Sequence, residues 1–250
     1  MFSRYRSGTL SRSLLLDFLR NGLLILVVLA ALAIALQRIA QLSELFPWKG
    51  ITVFVLGSSL TLIFTVKHLS ARSFGPANQV TLARGGLVAL LFGLIGDFTA
   101  AWPVVVVAST ALALDGVDGW LARRFDVASE FGARFDMESD ALLLLVLTVL
   151  AWQYGKAGPW ILLAGFMRYL FVASSFLLPF LGRSLPPKRR RQTAFVVQAI
   201  ALIVCISPVV AQPVSGAIAL VGLGLLTLSF AIDVVYLARD TGDLVGQSPS

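Results

Sequence analysis

Eight stretches of mostly apolar residues run through this chain, at about 21–38, 50–66, 79–97, 101–123, 132–154, 158–181, 192–210 and 213–237. Each is close to the roughly 20 residues that a helix needs to cross the hydrocarbon core of a bilayer. In a chain of 250 residues that is 58% hydrophobic and only 13% charged, a water-soluble domain could not bury so much apolar surface. The expected fold is therefore all-α, a polytopic membrane helical bundle of about eight transmembrane helices. Residues 1–13 are basic and no small-residue cleavage site follows the first apolar run, so the first span is expected to be retained rather than removed as a signal peptide. The single cysteine, Cys205, excludes a disulfide framework and reads as a small core residue.

The net charge of +7 could suggest nucleic acid, but in a membrane chain basic loops report orientation and contact with anionic lipid. Of the 20 basic residues, Arg4, Arg6, Arg12, Arg20, Lys67, Arg72, Arg84, Arg123, Arg124, Arg134, Arg183, Lys188, Arg189, Arg190, Arg191 and Arg239 fall on one side of an eight-span alternation. Only Arg38, Lys49 and Lys156 fall on the other, and Arg168 lies within a span. This asymmetry places both termini and the loops after the even-numbered spans in the cytoplasm. The polar segment from Lys67 to Gly75 separates an N-terminal segment and helix pair (1–75) from a six-helix core (76–239). The last residues, 240–250, form an expected disordered tail.

The acids are not scattered. Seven of the 13 lie between positions 115 and 140. Asp115 and Asp118 end the fourth span, and Asp136 and Asp140 open the fifth. Carboxylates beside apolar sequence are expensive to ionise without a partner, and four that converge repel one another unless cations neutralise them. At about 100° per residue, Asp115, Asp118, Gly119 and Ala122 share an arc of about 100°, and Gly132, Asp136 and Asp140 an arc of about 80°. The small residues leave room for a ligand or a close backbone approach. Oxygen ligands favour a hard cation, Mg²⁺ or Mn²⁺. His68 and Cys205 are far along the chain, which argues against zinc. Asp126, Glu130 and Glu138 read as incidental acids of a solvated loop.

The stretch Asp115–Asp140, DGVDGWLARRFDVASEFGARFDMESD, fits the pattern Asp-x₂-Asp-Gly-x₂-Ala-Arg-x₈-Gly-x₃-Asp-x₃-Asp without a gap. It resembles the signature of the CDP-alcohol phosphatidyltransferase family, and eight positions at set spacing make it far more specific than a short glycine motif. The resemblance implies a six-helix core in which the aspartates bind two divalent ions, here Asp115, Asp118, Asp136 and in part Asp140. Those ions would clamp the diphosphate of a CDP-linked donor. Asp140 would be the catalytic base for the acceptor hydroxyl. The nucleotide pocket would fall on Gly119, Arg123 and Ser129, with Ala122 and Gly132 beside it. Upstream, Asn78-Gln-Val-Thr81-Leu-Ala-Arg84 is similar to the family's Asn-x₂-Thr-x₂-Arg start of the first core helix. Asn78 and Thr81 would contact the cytidine diphosphate, and Asn78 reads equally well as an N-cap.

The implied reaction is transfer of a phosphatidyl group from CDP-diacylglycerol to a small polar alcohol, with release of CMP. A variant with the same motif is headgroup transfer from a CDP-amino-alcohol to a lipid hydroxyl. A different class is a membrane cation transporter. Transporters place carboxylates near the midplane, whereas these sit at the cytoplasmic helix ends. Arg168 in mid-span and Arg191 at a helix start read either as a site for a phosphorylated acceptor such as glycerol 3-phosphate or as structural cations. The run Lys188–Arg191 reads chiefly as an orientation and lipid patch. The expected partners are a CDP-linked lipid donor, an alcohol acceptor and membrane lipid, with no nucleic acid; members of the family often form homodimers. The expected location is the cell inner membrane, with the site facing the cytoplasm.

Overall fold

The structure, a computed structural model, describes residues 12–68, 76–124, 130–178 and 189–245. Over these residues the protein is all-helical, and the expected eight helices are present. They are α1 (Arg12–Ala40), α2 (Phe46–His68), α3 (Pro76–Gly93), α4 (Ala101–Arg124), α5 (Glu130–Gln153), α6 (Leu162–Leu177), α7 (Arg189–Ile206) and α8 (Val214–Val245), with one 3₁₀ turn, Pro159–Ile161. Four segments among the described residues are long and apolar enough to cross a membrane: Leu15–Ala40, Phe46–Ile63, Pro159–Leu177 and Val214–Arg239. The remaining helices mix apolar and polar chemistry. The apolar part of α4, Ala101–Val117, gives way to the acidic motif, α5 opens with that motif's second half, and α7 opens with arginines. Large apolar side chains point outward all along α1, among them Leu23, Leu24, Val27 and Val28. Such a surface is stable only against lipid.

The chain packs as two compact units, Met1–Ser139 and Asp140–Ser250. In the first, α3 is the central helix and lies against α1, α2 and α4. Small residues set that approach, because without a hydrophobic drive between helices in lipid, close backbone packing must supply the attraction. A Cβ added at Gly93 would come 3.0 Å from the Phe46 carbonyl oxygen, and one at Gly50 would come 3.2 Å from Leu90 Cδ2. Gly86 sits against Leu29 and Ile25 of α1 and Phe54 of α2. On α4, Val104, Ala108 and Ala111 are fully buried, the i, i+4, i+7 stripe of a helix with one face inward.

The α3 helix begins at Pro76, whose fixed φ and missing N–H suit a first helical position. Asn78 therefore lies inside the first turn rather than ahead of it, and the expectation of a plain N-cap is corrected. Between α3 and α4, Asp97 gathers the connection. Its carboxylate accepts hydrogen bonds from the Ser43 N–H at 3.2 Å, the Thr99 N–H at 3.1 Å and the Thr99 hydroxyl at 2.8 Å.

In the second unit α6 meets the body of α5 where Gly165 faces Leu145 and Thr148. The α7–α8 pair is stitched by polar contacts along its length. At one end Arg190 donates to the Asp233 carboxylate, and to the Ser229 carbonyl and hydroxyl at 2.5 and 3.1 Å. Midway, fully buried Gln198 lies against Gly222. At the far end Lys156 Nζ donates to the carbonyls of Ser207 and Val210, at 2.9 and 2.6 Å. The Lys156 carbonyl accepts in turn from the Ser215 hydroxyl at 2.8 Å. A lysine at the C-terminal end of α7 both satisfies carbonyls with no helical partner and complements the helix dipole. Cys205 is a buried free thiol, as expected of a core cysteine.

Candidate active site

Three helices bring the acidic motif together. α4 runs on through Arg124, so Asp115 stands in its last three turns. α5 starts at Glu130, so Asp136 stands in its second turn and Asp140 one turn further on. The boundary between the two packing units falls just before Asp140, but α5 is unbroken there and its helical pitch alone fixes Asp140 beside Asp136. Carboxylate oxygens of Asp115, Asp136 and Asp140 lie within 4.8 Å of one another.

The third helix contributes a cation. Arg84 of α3 is wholly buried, with 1% of its side chain exposed against 11% for Asp115 and 41% for Asp136. Its guanidinium donates to Asp115 Oδ1, to Asp136 Oδ1 at 2.7 Å, to the Asp136 carbonyl at 3.2 Å and, through Nε, to the Ser139 hydroxyl at 3.3 Å. The planar fork of arginine suits this bridging, since its three nitrogens reach four acceptors spread over two helices, where a lysine would have to reach them from a single nitrogen. A charge this deep costs several kcal/mol to desolvate unless it is paired, and here it is paired from both α4 and α5.

Arg84 is the principal correction to the sequence reading. By sequence it counts as one more cytoplasmic orientation charge and as the last position of the motif Asn78-x₂-Thr81-x₂-Arg84, with no partner assigned, whereas the structure places it inside the acidic cluster. The signal was present in the run LARGGLVALL. An arginine inside an apolar helix is a functional residue by default, and that holds for Arg84 as it does for Arg168. Ser139, buried beside it, offered no signal of its own.

The other predicted residues divide as follows. Thr81 is buried and Asn78 half-buried, both on α3 within two turns of Arg84. Gly119 on α4 and Gly132 on α5 are partly exposed. Asp118, Ala122 and Arg123 belong to α4, but their side chains lie outside what the structure describes, and Ser129 lies outside the described residues. Arg168 is half-buried on α6. Arg191 opens α7 with its Nε 3.9 Å from Asp233 Oδ2, next to the closer Arg190–Asp233 pair.

The donor set fits a hard divalent cation. Carboxylate oxygens no more than 4.8 Å apart can close on one ion with bonds of about 2.1–2.5 Å. Fold and site thus define a multi-pass membrane protein that carries a carboxylate cage at helix ends. The family model of CDP-alcohol phosphatidyltransferase matches residues 74–239, and the chain belongs to that family. No curated protein and no solved structure matches it. The protein is accordingly an integral membrane enzyme, a phosphotransferase that moves a phosphatidyl group from a CDP-alcohol donor to an alcohol acceptor, in a family whose chemistry depends on divalent metal.

Proposed function

We propose that this enzyme transfers the phosphatidyl group of CDP-diacylglycerol to a small polar alcohol and releases CMP. The observation that carries this reading is the carboxylate triangle of Asp115, Asp136 and Asp140. Together with Asp118 these residues would hold two ions, Mg²⁺ or Mn²⁺. The ions would neutralise the donor's diphosphate and the charge that grows on departing CMP.

The chain's own residues divide the remaining work. Asn78 and Thr81 on α3 and Gly119, Ala122, Arg123, Ser129 and Gly132 around the motif form the nucleotide pocket. The small residues let the ligand approach the backbone, and Arg123 supplies charge for a phosphate. Asp140 accepts the proton of the acceptor hydroxyl, since no histidine stands in the motif to do so. The freed oxygen bonds to the phosphorus that bears the diacylglycerol. The phosphoanhydride bond breaks, and CMP departs with its electron pair. Arg168 and Arg191 are the basic groups for a phosphorylated acceptor such as glycerol 3-phosphate. The charge asymmetry of the loops supports a site opening to the cytoplasmic face of the cell inner membrane. The catalytic core comprises 76–239, preceded by the helix pair of 1–75 and followed by the segment 240–250, into which α8 continues as far as Val245 rather than stopping ahead of a disordered tail. Homodimerisation is part of the same proposal, by likeness to the family.

The test is CMP release from CDP-diacylglycerol by the purified protein, with a panel of free and phosphorylated alcohols, in Mg²⁺, Mn²⁺ and excess chelator. Turnover with at least one alcohol, abolished by chelator and restored by either cation, is expected. Turnover only with a CDP-amino-alcohol and diacylglycerol would reverse donor and acceptor, and full turnover in chelator would remove the metal site.

A further inference from the structure

We infer that Arg84 is an internal counter-cation of the acidic cluster. It holds Asp115 and Asp136 in place when no metal is bound, and it lowers the site's affinity for divalent cations by competing for the same two carboxylates. This rests on the metal-site reading above and goes beyond it, since that reading assigns Arg84 no part.

Three carboxylates within 4.8 Å of one another repel, and without a cation they would be driven apart. Arg84 answers that repulsion from within the protein. Its donors reach Asp115 on α4 and Asp136 on α5, and Ser139 one turn beyond Asp136 holds its Nε. The three helices are therefore joined at the site by one side chain. The arrangement has two physical consequences. The cluster stays assembled in metal-free protein, because the buried positive charge is already present. A divalent cation entering among the same oxygens meets a like charge that cannot leave its pocket, being wholly buried, and must share or displace its ligands. Cation affinity at oxygen sites follows the net charge of the ligand set, so Arg84 reduces it. Arg84 is thus a positioning residue. It presets the ligands and leaves the site needing the additional negative charge of the donor's diphosphate to hold its metal tightly.

The experiment compares native protein, Arg84→Gln and Arg84→Lys in detergent micelles without substrate. Mn²⁺ affinity is read from the loss of the free-ion EPR signal, and thermal unfolding is followed with and without Mn²⁺. Arg84→Gln removes the competing charge and is expected to bind Mn²⁺ about tenfold more tightly or better, from the Coulomb interaction of a unit charge with a divalent ion a few ångströms away. Its unfolding temperature should fall below native in chelator and rise more than native when Mn²⁺ is added, because the metal now supplies the missing counter-charge. Arg84→Lys keeps the charge but holds the two carboxylates less firmly, from a single nitrogen, and is expected to tighten Mn²⁺ binding about threefold. A residue that merely held the fold together would give weaker binding on removal. Unchanged or weaker Mn²⁺ affinity in Arg84→Gln overturns the inference. If that variant folds under no condition, the same result in Arg84→Lys overturns it. Absence of Mn²⁺ binding by the native protein and by both variants would instead overturn the metal-site reading, and the inference with it.

Discussion

Replacing Gly165 by alanine tests how tightly α6 sits on α5, the helix that carries Asp136 and Asp140. A Cβ at Gly165 would stand 2.5 Å from Thr148 Oγ1, 2.8 Å from Leu145 Cα and 3.0 Å from Leu145 Cδ1. Ordinary contact begins near 3.4 Å, so the side-chain oxygen would have to retreat by about 0.9 Å and the backbone atom by about 0.6 Å, the differences between those distances. The oxygen can move only by giving up its 2.8 Å hydrogen bond to the Leu145 carbonyl. The Cα can move only with the helix. Such overpacking costs about 1–3 kcal/mol, offset by about 0.5–1 kcal/mol from replacing a helical glycine with alanine. The net expectation is a loss of about 1–2 kcal/mol, measured by unfolding in mixed detergent micelles. Gly224→Ala on α8 is the control. Nothing lies within 4 Å of its added Cβ, so only the favourable term remains and that variant should be as stable as native or more so. Adding Thr148→Ala to Gly165→Ala removes the side-chain clash but not the one with Leu145 Cα, and should recover no more than about half of the loss. Native stability in Gly165→Ala, or full recovery in the double variant, would show that the helices are not in backbone contact there.

Two further outcomes are expected. Asp140→Asn should retain CDP-diacylglycerol binding while CMP release falls by about 10²–10⁴, the usual worth of a general base. Asp115→Asn should weaken Mn²⁺ and donor binding together, and normal turnover by Asp140→Asn would disprove the base assignment. Asp97 is the pH-sensitive group of the α3–α4 connection. Burial pushes its carboxyl up, but the hydrogen bonds from Thr99 and Ser43 and the charge of Lys49 outweigh that and hold it below the ordinary aspartate value of 3.8. A depressed folded value means that its contribution to stability is complete above about pH 4 and is lost as pH falls through the folded value. The stability difference between native protein and Asp97→Asn should therefore be constant from pH 7 to about 5 and shrink below about 4. A difference independent of pH down to 3 would exclude that network.

The helical class and the acidic motif were legible in the sequence because both depend on local rules. An apolar run of about 20 residues specifies a bilayer-length helix whatever surrounds it. Spacings of three and four residues specify which carboxylates share a helix face, so Asp115 and Asp118 fall on one face of α4 and Asp136 and Asp140 on one face of α5, while the meeting of the two faces is implied by the family resemblance and shown by the packing. Of the two readings of Asn78, the N-cap fails because α3 already starts at Pro76, a boundary that turned on one residue. What only the tertiary structure decided is the set of partners far apart in the chain. Arg84 meets Asp115 and Asp136 across 31 and 52 positions, Lys156 meets Ser207 across 51, and Arg190 meets Asp233 across 43. An arginine has the same formal charge in a cytoplasmic loop as between three helices, so charge counting cannot tell an orientation signal from a buried counter-ion. Burial makes that distinction, because a desolvated charge must be paired, and burial arises only when α3, α4 and α5 pack around it.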